Sequence, residues 1–566
     1  MGDASGGHEP AAHHAAGHGH APARPLVRLR HLLLPERRDA VTVAVFAGVV
    51  AVLSLATPIA VEALVNTVAF GVLMWPVVAL AGVLMACLGL AAAVRAMQVY
   101  VVECIQRRLF VRVAADYARR FPRLKLEALD GRYGPELANR FFDVLTVQKA
   151  LAYLLLDGVA LAVTAAVGMV VLAFYHPFLL GFDVLLLLAV AFAVFALGWG
   201  GVRTCLHESH AKYDVAAWLE ELLRCPRAFR LAGGRHLALE RADRLTGEYV
   251  AARRAHFRVV WRQTVFALSL QVVAGTALLG LGGYLVINRQ LTLGQLVAAE
   301  LIVTLVVASA AKLGKYAEAY YDLLSGAEKL GLATDLPLER EGGEPLGPAA
   351  GGMAVRVRGA ASVAPRALAS VDLAIAAGER VAVVGTPGAG KTALFEVLCG
   401  LREMAHGCAE ADGIDLRGLS LESLWEQVAL VEGSDVIVGT VLENVRVGRA
   451  QLSTGDVRAA LRAVGLSAVV HALPHGLDTP LAPGAPLSAT EELRLCIARA
   501  LVGRPRLLIL DRALDALDPR ARAELLPHLF DRAAPWTLVV ASTDPAVLRL
   551  CDRVIDLAPP AEDRHA

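Results

Sequence analysis

Glu379-Arg-Val-Ala-Val-Val-Gly-Thr-Pro-Gly-Ala-Gly-Lys-Thr392 decides how this chain is read. The apolar run 381–384 has the length and β-branched content of a buried strand. It leads into Gly385, Thr386, Pro387, Gly388, Ala389, Gly390, Lys391 and Thr392, which fit G-x-x-x-x-G-K-[ST]. A helical stretch follows from Ala393. Glycines at these positions let backbone N–H groups close on phosphates, and the helix that follows turns its positive end toward them. In such a loop Lys391 neutralises the β/γ-phosphates and Thr392 holds Mg²⁺. Nucleotide binding is the primary expectation, with Gly385 through Ala393 as the contact residues.

The 566 residues suffice for two or three domains. Hydrophobic residues make up 56% of the chain and the mean hydropathy is +0.53, more apolar than a wholly soluble protein. A net charge of +1 gives no nucleic-acid signal and none for an acidic substrate. The 8 cysteines are scattered without a Cys-x-x-Cys pair, as in a reduced compartment lacking structural disulfides or zinc.

Residues 1–24 are rich in Gly, Ala, Pro and His and cannot bury a core, so a disordered tail is expected. A solvated tail is the plainer reading of its histidines than a metal site. No apolar signal-peptide core precedes Arg24. Between Ala40 and Val94 the only charge is Glu62, enough for two spans of about 20 residues. The length rule places six spans near 40–63, 75–96, 152–175, 178–199, 264–287 and 292–311, with a turn near 66–70. The long loops 97–150 and 200–263 carry most of the Arg and Lys, so they, both termini and the nucleotide domain are placed in the cytoplasm. Ionisable groups inside the spans are few: Asp157, Asp183 and Glu300, with Glu62 at an edge. Such charges need a cavity, a partner or an interface. Glu300 has no near partner on its own helix, so a translocation path and an interhelical pair both stay open for it.

A Pro-, Gly- and Glu-rich linker at 331–352 separates a transmembrane domain at 25–330 from an ATP-binding domain at 353–566. Runs 428–431, 507–510 and 537–541 read as further buried strands of an α/β fold. Asp511 closes the second of them, where a P-loop fold places a carboxylate that serves Mg²⁺.

Six spans fused to this P-loop, Leu487-Ser488 ahead of Ala498-Arg499-Ala500, then Asp511 and Ala516-Leu517-Asp518 resemble an ABC exporter half-transporter. The membrane region is similar to that of the type I secretion group, although no room for a peptidase domain precedes the first span. The resemblance implies a six-helix transmembrane domain fused to an α/β P-loop ATP-binding domain. It also implies ATP and Mg²⁺ as cofactors and coupling helices near 131–139 and 226–229. It further implies a homodimer or heterodimer in the inner (plasma) membrane, with each ATP between one P-loop and the partner's signature helix. A periplasmic adaptor stays open.

The chain departs from that family at several nucleotide-contacting positions. The family's catalytic glutamate is replaced by Arg512, which cannot deprotonate at neutral pH to act as a base. Loss of a general base costs about 10²–10⁴ in rate. Thr543 stands at the switch-histidine position and Glu432 at the Q-loop glutamine. No aromatic occurs between Met353 and Gly385 to stack on adenine. The L-S-G-G-Q signature is replaced by Leu487, Ser488, Ala489, Thr490 and Glu491, in which Ser488 and Glu491 are spaced as a capping box. No intact catalytic set remains, while Thr392 and Asp511 keep the metal position. The leading expectation is an exporter-type subunit that binds Mg-ATP with weak or absent hydrolysis. Two alternatives stay open: an active exporter using a non-standard residue such as Glu432, and an ATP-sensing membrane scaffold.

Overall fold

The computed structural model describes residues 25–69, 74–132, 134–231, 233–362, 368–482 and 486–557. The His-rich tail therefore lies outside the described residues. Contacts divide the chain into two units: one comprises Met1–Pro122 and Tyr133–Leu336, the other Arg123–Arg132 and Pro337–Ala566.

The first unit is helical. Among the described residues, five of its helices are long and apolar enough to cross a membrane. Leu293–Ala311 supplies a further helix, apolar over its described stretch Leu293–Val306. The first span is interrupted: Arg37–Ser54 and Ala56–Ala69 meet at Leu55, three residues before Pro58, whose ring and missing N–H disturb the preceding turn. The turn expected near 66–70 does not form within its described part. The helix runs on to Ala69, and Thr67 donates to the carbonyl of Ala63 at 2.6 Å. Met74–Arg120 and Gly234–Ile287, of 47 and 54 residues, continue well beyond a bilayer's thickness. His176 is extended and Pro177 begins the next helix, so the chain turns sharply there. That helix ends at Phe195, earlier than the expected 199, and Gly200 at φ +83° starts Gly201–Arg224. Arg289 at φ +60° turns the last hairpin, after which Thr292 and Gln295 cap each other reciprocally.

The intramembrane charges meet different fates. Asp157 pairs with Arg95 at 2.5 Å, and Glu62 accepts from the Tyr175 hydroxyl at 2.7 Å. Both carboxylate oxygens of Asp183 and one of Glu300 are buried without a hydrogen bond among the described residues.

In the second unit, β1 (Val355–Ser362), β2 (Leu368–Ile375), β3 (Arg380–Val384), β4 (His406–Ala411), β5 (Ile414–Asp415), β6 (Val428–Val431), β7 (Gly439–Thr440), β8 (Pro480–Leu481), β9 (Leu507–Asp511), β10 (Thr537–Ala541) and β11 (Arg553–Asp556) form three sheets. The order β2-β1-β4-β5 is antiparallel; β11-β3-β10-β9-β6 is parallel; β7 and β8 pair alone. Composition explains the difference. β1 alternates inward Val355 and Val357 with outward Arg356 and Arg358, as a one-sided sheet requires. β9 and β10 are buried throughout, as parallel strands covered on both faces must be.

A buried lysine offers a test of packing in the helical unit, well beyond the spans. Lys329 is 3% exposed; its Nζ donates to the carbonyl of Ser209 at 3.0 Å and lies 3.3 Å from the Tyr213 ring centroid. The Tyr213 hydroxyl donates to Asp143. Burial pushes the Lys329 ammonium down to about 7, against the smaller opposing pull of Asp143. Between about pH 7 and 10.5 the unfolded chain therefore binds the extra proton, and stability should rise with pH across that window. Denaturant unfolding of the full chain in micelles at several pH values should show this slope, and Lys329→Met should flatten it. An unchanged slope in the variant would mean that Lys329 stays protonated in the fold.

Candidate functional site

β3 delivers the phosphate loop, and Gly390 caps the helix Lys391–Leu398. Gly385 has φ +148°, and a Cβ there would lie 2.8 Å from the Leu557 carbonyl oxygen, so only glycine fits. The loop is closed on itself: Lys391 Nζ donates to the carbonyls of Gly385 at 2.6 Å and Thr386 at 3.0 Å. A phosphate would offer this ammonium a charged acceptor in place of neutral carbonyls. Pro387 through Ala393 line a cavity of about 600 Å³ together with Glu432, Asp511 and Arg512. The parallel register places β10 between β3 and β9, and Asp511 ends β9 beside the loop's helix.

Asp511 is 2% exposed. Its Oδ2 accepts from the Thr392 hydroxyl, whereas Oδ1 has no hydrogen bond among the described residues. A buried orphan carboxylate oxygen next to a hydroxyl on a phosphate loop is the donor chemistry of a hard divalent cation, so these residues fit Mg²⁺. Arg512 follows at φ +56°, an uncommon backbone state for a non-glycine residue. Its N–H donates to the carbonyl of Ala541, and its side chain, 72% exposed, brings Nε to 3.5 Å from Asp511 Oδ1. The group beside this carboxylate is thus a fixed cation.

Two of the expected site elements are not among the residues that line this cavity. Thr543 is not in the cavity wall; its N–H donates to Asp515 Oδ2 at 3.1 Å and its hydroxyl to the same oxygen at 3.4 Å. Ser542 also donates to Asp515. Asp515 was not singled out from the sequence, and only its place three residues after Arg512 marks it. Leu487, Ser488, Ala489, Thr490 and Glu491 form the start of the helix Ala489–Val502, away from the cavity wall. There the capping box closes: Glu491 Oε2 accepts from the Ser488 N–H at 2.8 Å, and Ser488 Oγ accepts from Glu491 N–H. The helix's first orphan donors are thereby satisfied by its own side chains.

A further contact was invisible in the sequence. The segment Arg123–Arg132, interrupting the helical unit in sequence, packs as part of the nucleotide unit. Its helix Leu126–Leu129 leads to Asp130, which pairs with Arg402 at 2.9 Å. Arg402, whose side chain is 2% exposed, also pairs at 2.5 Å with Glu396 on the phosphate-loop helix. Lys125 pairs with Glu403 at 2.6 Å. The segment that packs with the nucleotide unit is thus Arg123–Arg132, which overlaps the coupling helix expected near 131–139 only at its start.

Residues 368–515 match the ABC transporter family model. Over 92% of this chain and 94% of the other, the fold is similar to the structure of a bacterial Atm1-family ABC exporter with ATP bound, with a TM-score of 0.79 at 21% identity. The chain carries an ABC transporter nucleotide-binding domain fused to an exporter-type transmembrane domain. Among similar proteins, a multidrug efflux ATP-binding/permease protein of Mycobacterium tuberculosis is 31% identical over 329 residues, 56% of this chain and 28% of the relative. An uncharacterized ABC transporter ATP-binding protein of Bacillus subtilis is 36% identical over 191 residues, 33% of each chain. The matches thus span a third or less of these relatives' own lengths. A fatty acid ABC transporter ATP-binding/permease protein of Mycobacterium bovis is 29% identical over 440 residues, 74% of this chain and 67% of the relative.

Arg402→Leu should leave two poorly solvated carboxylates facing each other and cost about 3–5 kcal/mol of stability. Adding Asp130→Asn and Glu396→Gln should recover much of the loss. Denaturant unfolding of the full chain checks both; an equally unstable triple variant would assign the loss to packing.

Proposed function

We propose that this chain is a membrane-embedded ABC exporter-type subunit that binds Mg-ATP through its phosphate loop and hydrolyses it weakly or not at all. The observation that carries the reading is Arg512. It lines the phosphate-loop cavity directly beside Asp511, in the place of a general base, and a guanidinium cannot accept the proton of an attacking water. Bound Mg²⁺ would supply charge neutralisation to the phosphates. Thr392 and Asp511 are the residues to hold it, Lys391 the phosphate ligand, and Gly385 through Ala393 the cradle. Thr543, shorter than histidine and tied to Asp515, is not placed to take over the base's task.

The altered signature supports the same reading. In a dimer, homomeric or heteromeric, its helix would meet the partner's nucleotide. Glu491 adds a negative charge there and already occupies the helix N-terminus through its capping box. We place the nucleotide unit in the cytoplasm and the spans in the inner (plasma) membrane, on the basic content of the long loops.

A second reading is favoured by one observation: Glu432 lines the same cavity and is its other carboxylate besides Asp511. If it positions water, the purified chain should show ATPase activity that Glu432→Gln abolishes.

Under the leading reading, the wild-type chain in lipid nanodiscs should bind ATP with an affinity reduced at least 10-fold by Lys391→Ala. Phosphate release should stay far below the ~1 s⁻¹ of ordinary enzymes. Arg512→Glu should raise turnover without restoring full activity, because Thr543 and the signature remain changed. Full ATPase activity in that single variant would contradict the proposal.

A further inference from the structure

The cavity at the phosphate loop has a charge pattern that the loss of a base does not explain. Four of its lining residues carry formal charges: Lys391, Glu432, Asp511 and Arg512. Two are cations and two are anions, so the charges of the wall cancel. A glutamate at position 512 would instead set one cation against three carboxylates, a wall with two negative charges. A polyphosphate enters such a wall only with a cation to offset the repulsion. The difference between the two walls is two positive charges, the charge of one Mg²⁺ ion.

The placement of Arg512 suits it to carry that charge. Asp511 stands between two groups: one of its oxygens accepts from Thr392 on the phosphate-loop helix, and the other lies 3.5 Å from Arg512 Nε. A single carboxylate therefore separates the guanidinium from the hydroxyl suited to a metal. Among the described residues, Asp511 is the ion-pair partner of that guanidinium, and it meets the Nε edge. The side chain is 72% exposed and lines the cavity, which leaves its terminal nitrogens open to a ligand. The backbone is fixed on both sides: the Arg512 N–H donates to Ala541 at the end of β10 at 3.0 Å, and its carbonyl accepts from the Asp515 N–H at 3.1 Å. The φ of +56° is uncommon for a non-glycine residue, and conformations of this kind gather at ligand sites. A guanidinium presents a planar fork of N–H donors that matches phosphate oxygens and stays charged at physiological pH.

We propose that Arg512 is a nucleotide ligand: its guanidinium, oriented by Asp511, binds the phosphates of ATP and supplies the charge that makes Mg²⁺ dispensable for binding. The chain then holds free ATP as well as Mg-ATP. The proposal rests on the reading of the phosphate loop as an ATP site and adds the ligand that sets its metal requirement.

The full chain in lipid nanodiscs is equilibrated with radiolabelled ATP, in excess Mg²⁺ or in EDTA, and the bound fraction is followed over a concentration series. Wild-type affinity in EDTA should lie within about 3-fold of that in Mg²⁺. Arg512→Gln should weaken binding in EDTA about 10-fold or more, the scale of a lost charge-assisted hydrogen bond, and weaken binding in Mg²⁺ less. Arg512→Glu should bind ATP only with Mg²⁺. Arg512→Lys keeps the charge without the fork and should recover part of the affinity in EDTA. Binding retained in Mg²⁺ shows that each variant is folded, so a loss confined to EDTA is not a structural effect. Wild-type binding that requires Mg²⁺, or variants whose ratio of EDTA to Mg²⁺ affinity matches the wild type, would overturn the proposal and leave the ATP site standing. Absence of wild-type binding under both conditions would overturn the phosphate-loop reading and the proposal with it.

Discussion

The hydrogen bond from Thr392 to Asp511 ties the phosphate-loop helix to the end of β9. Everything proposed for the nucleotide site depends on it. It holds the Thr392 hydroxyl and the Asp511 carboxylate together although 119 residues separate them, and it leaves Asp511 Oδ1 buried without a hydrogen bond. A buried carboxylate oxygen without a hydrogen bond is costly unless a cation faces it. The chain places Arg512 at 3.5 Å from that oxygen, in a left-handed backbone conformation that sets the side chain at the cavity wall. Binding chemistry is thus kept next to a residue incompatible with base catalysis, and that juxtaposition is the core of the functional reading.

The same unit is joined to its outlying segment by buried charge. Arg402 draws Asp130 and Glu396 together, and Glu396 sits on the helix that the phosphate loop begins. A buried triad of this kind adds little net stability compared with apolar packing, but it tolerates few alternative arrangements. We read it as the element that fixes where Arg123–Arg132 lies against the nucleotide fold.

What could be read in advance follows physical range. The phosphate loop is local: eight consecutive residues carry both its backbone geometry and its lysine. The spans are equally local, since 20 apolar residues declare themselves without a partner. The strand ends, the exporter fold and the Ser488–Glu491 capping box were accessible for the same reason. Interactions between distant residues were not. Asp157 looks like an isolated intramembrane charge until Arg95, 62 residues earlier, is placed beside it. Arg402 looks like a surface arginine until Asp130 arrives from 272 residues away. The π-helical turn at Leu154–Gly158 has no sequence signature, and the helix runs on through Asn66, past the turn expected there, with Thr67 bonded back to the Ala63 carbonyl.

The central claim concerns what the site does with its ligand, so the most direct measurement is the identity of the nucleotide it retains. The purified chain in nanodiscs is incubated with Mg-ATP, separated rapidly from free nucleotide, and the bound nucleotide is released and separated by chromatography. The account predicts intact ATP, lost in the Lys391→Ala variant. Predominantly ADP, dependent on Lys391, would show that the site turns over despite Arg512 and would contradict the account.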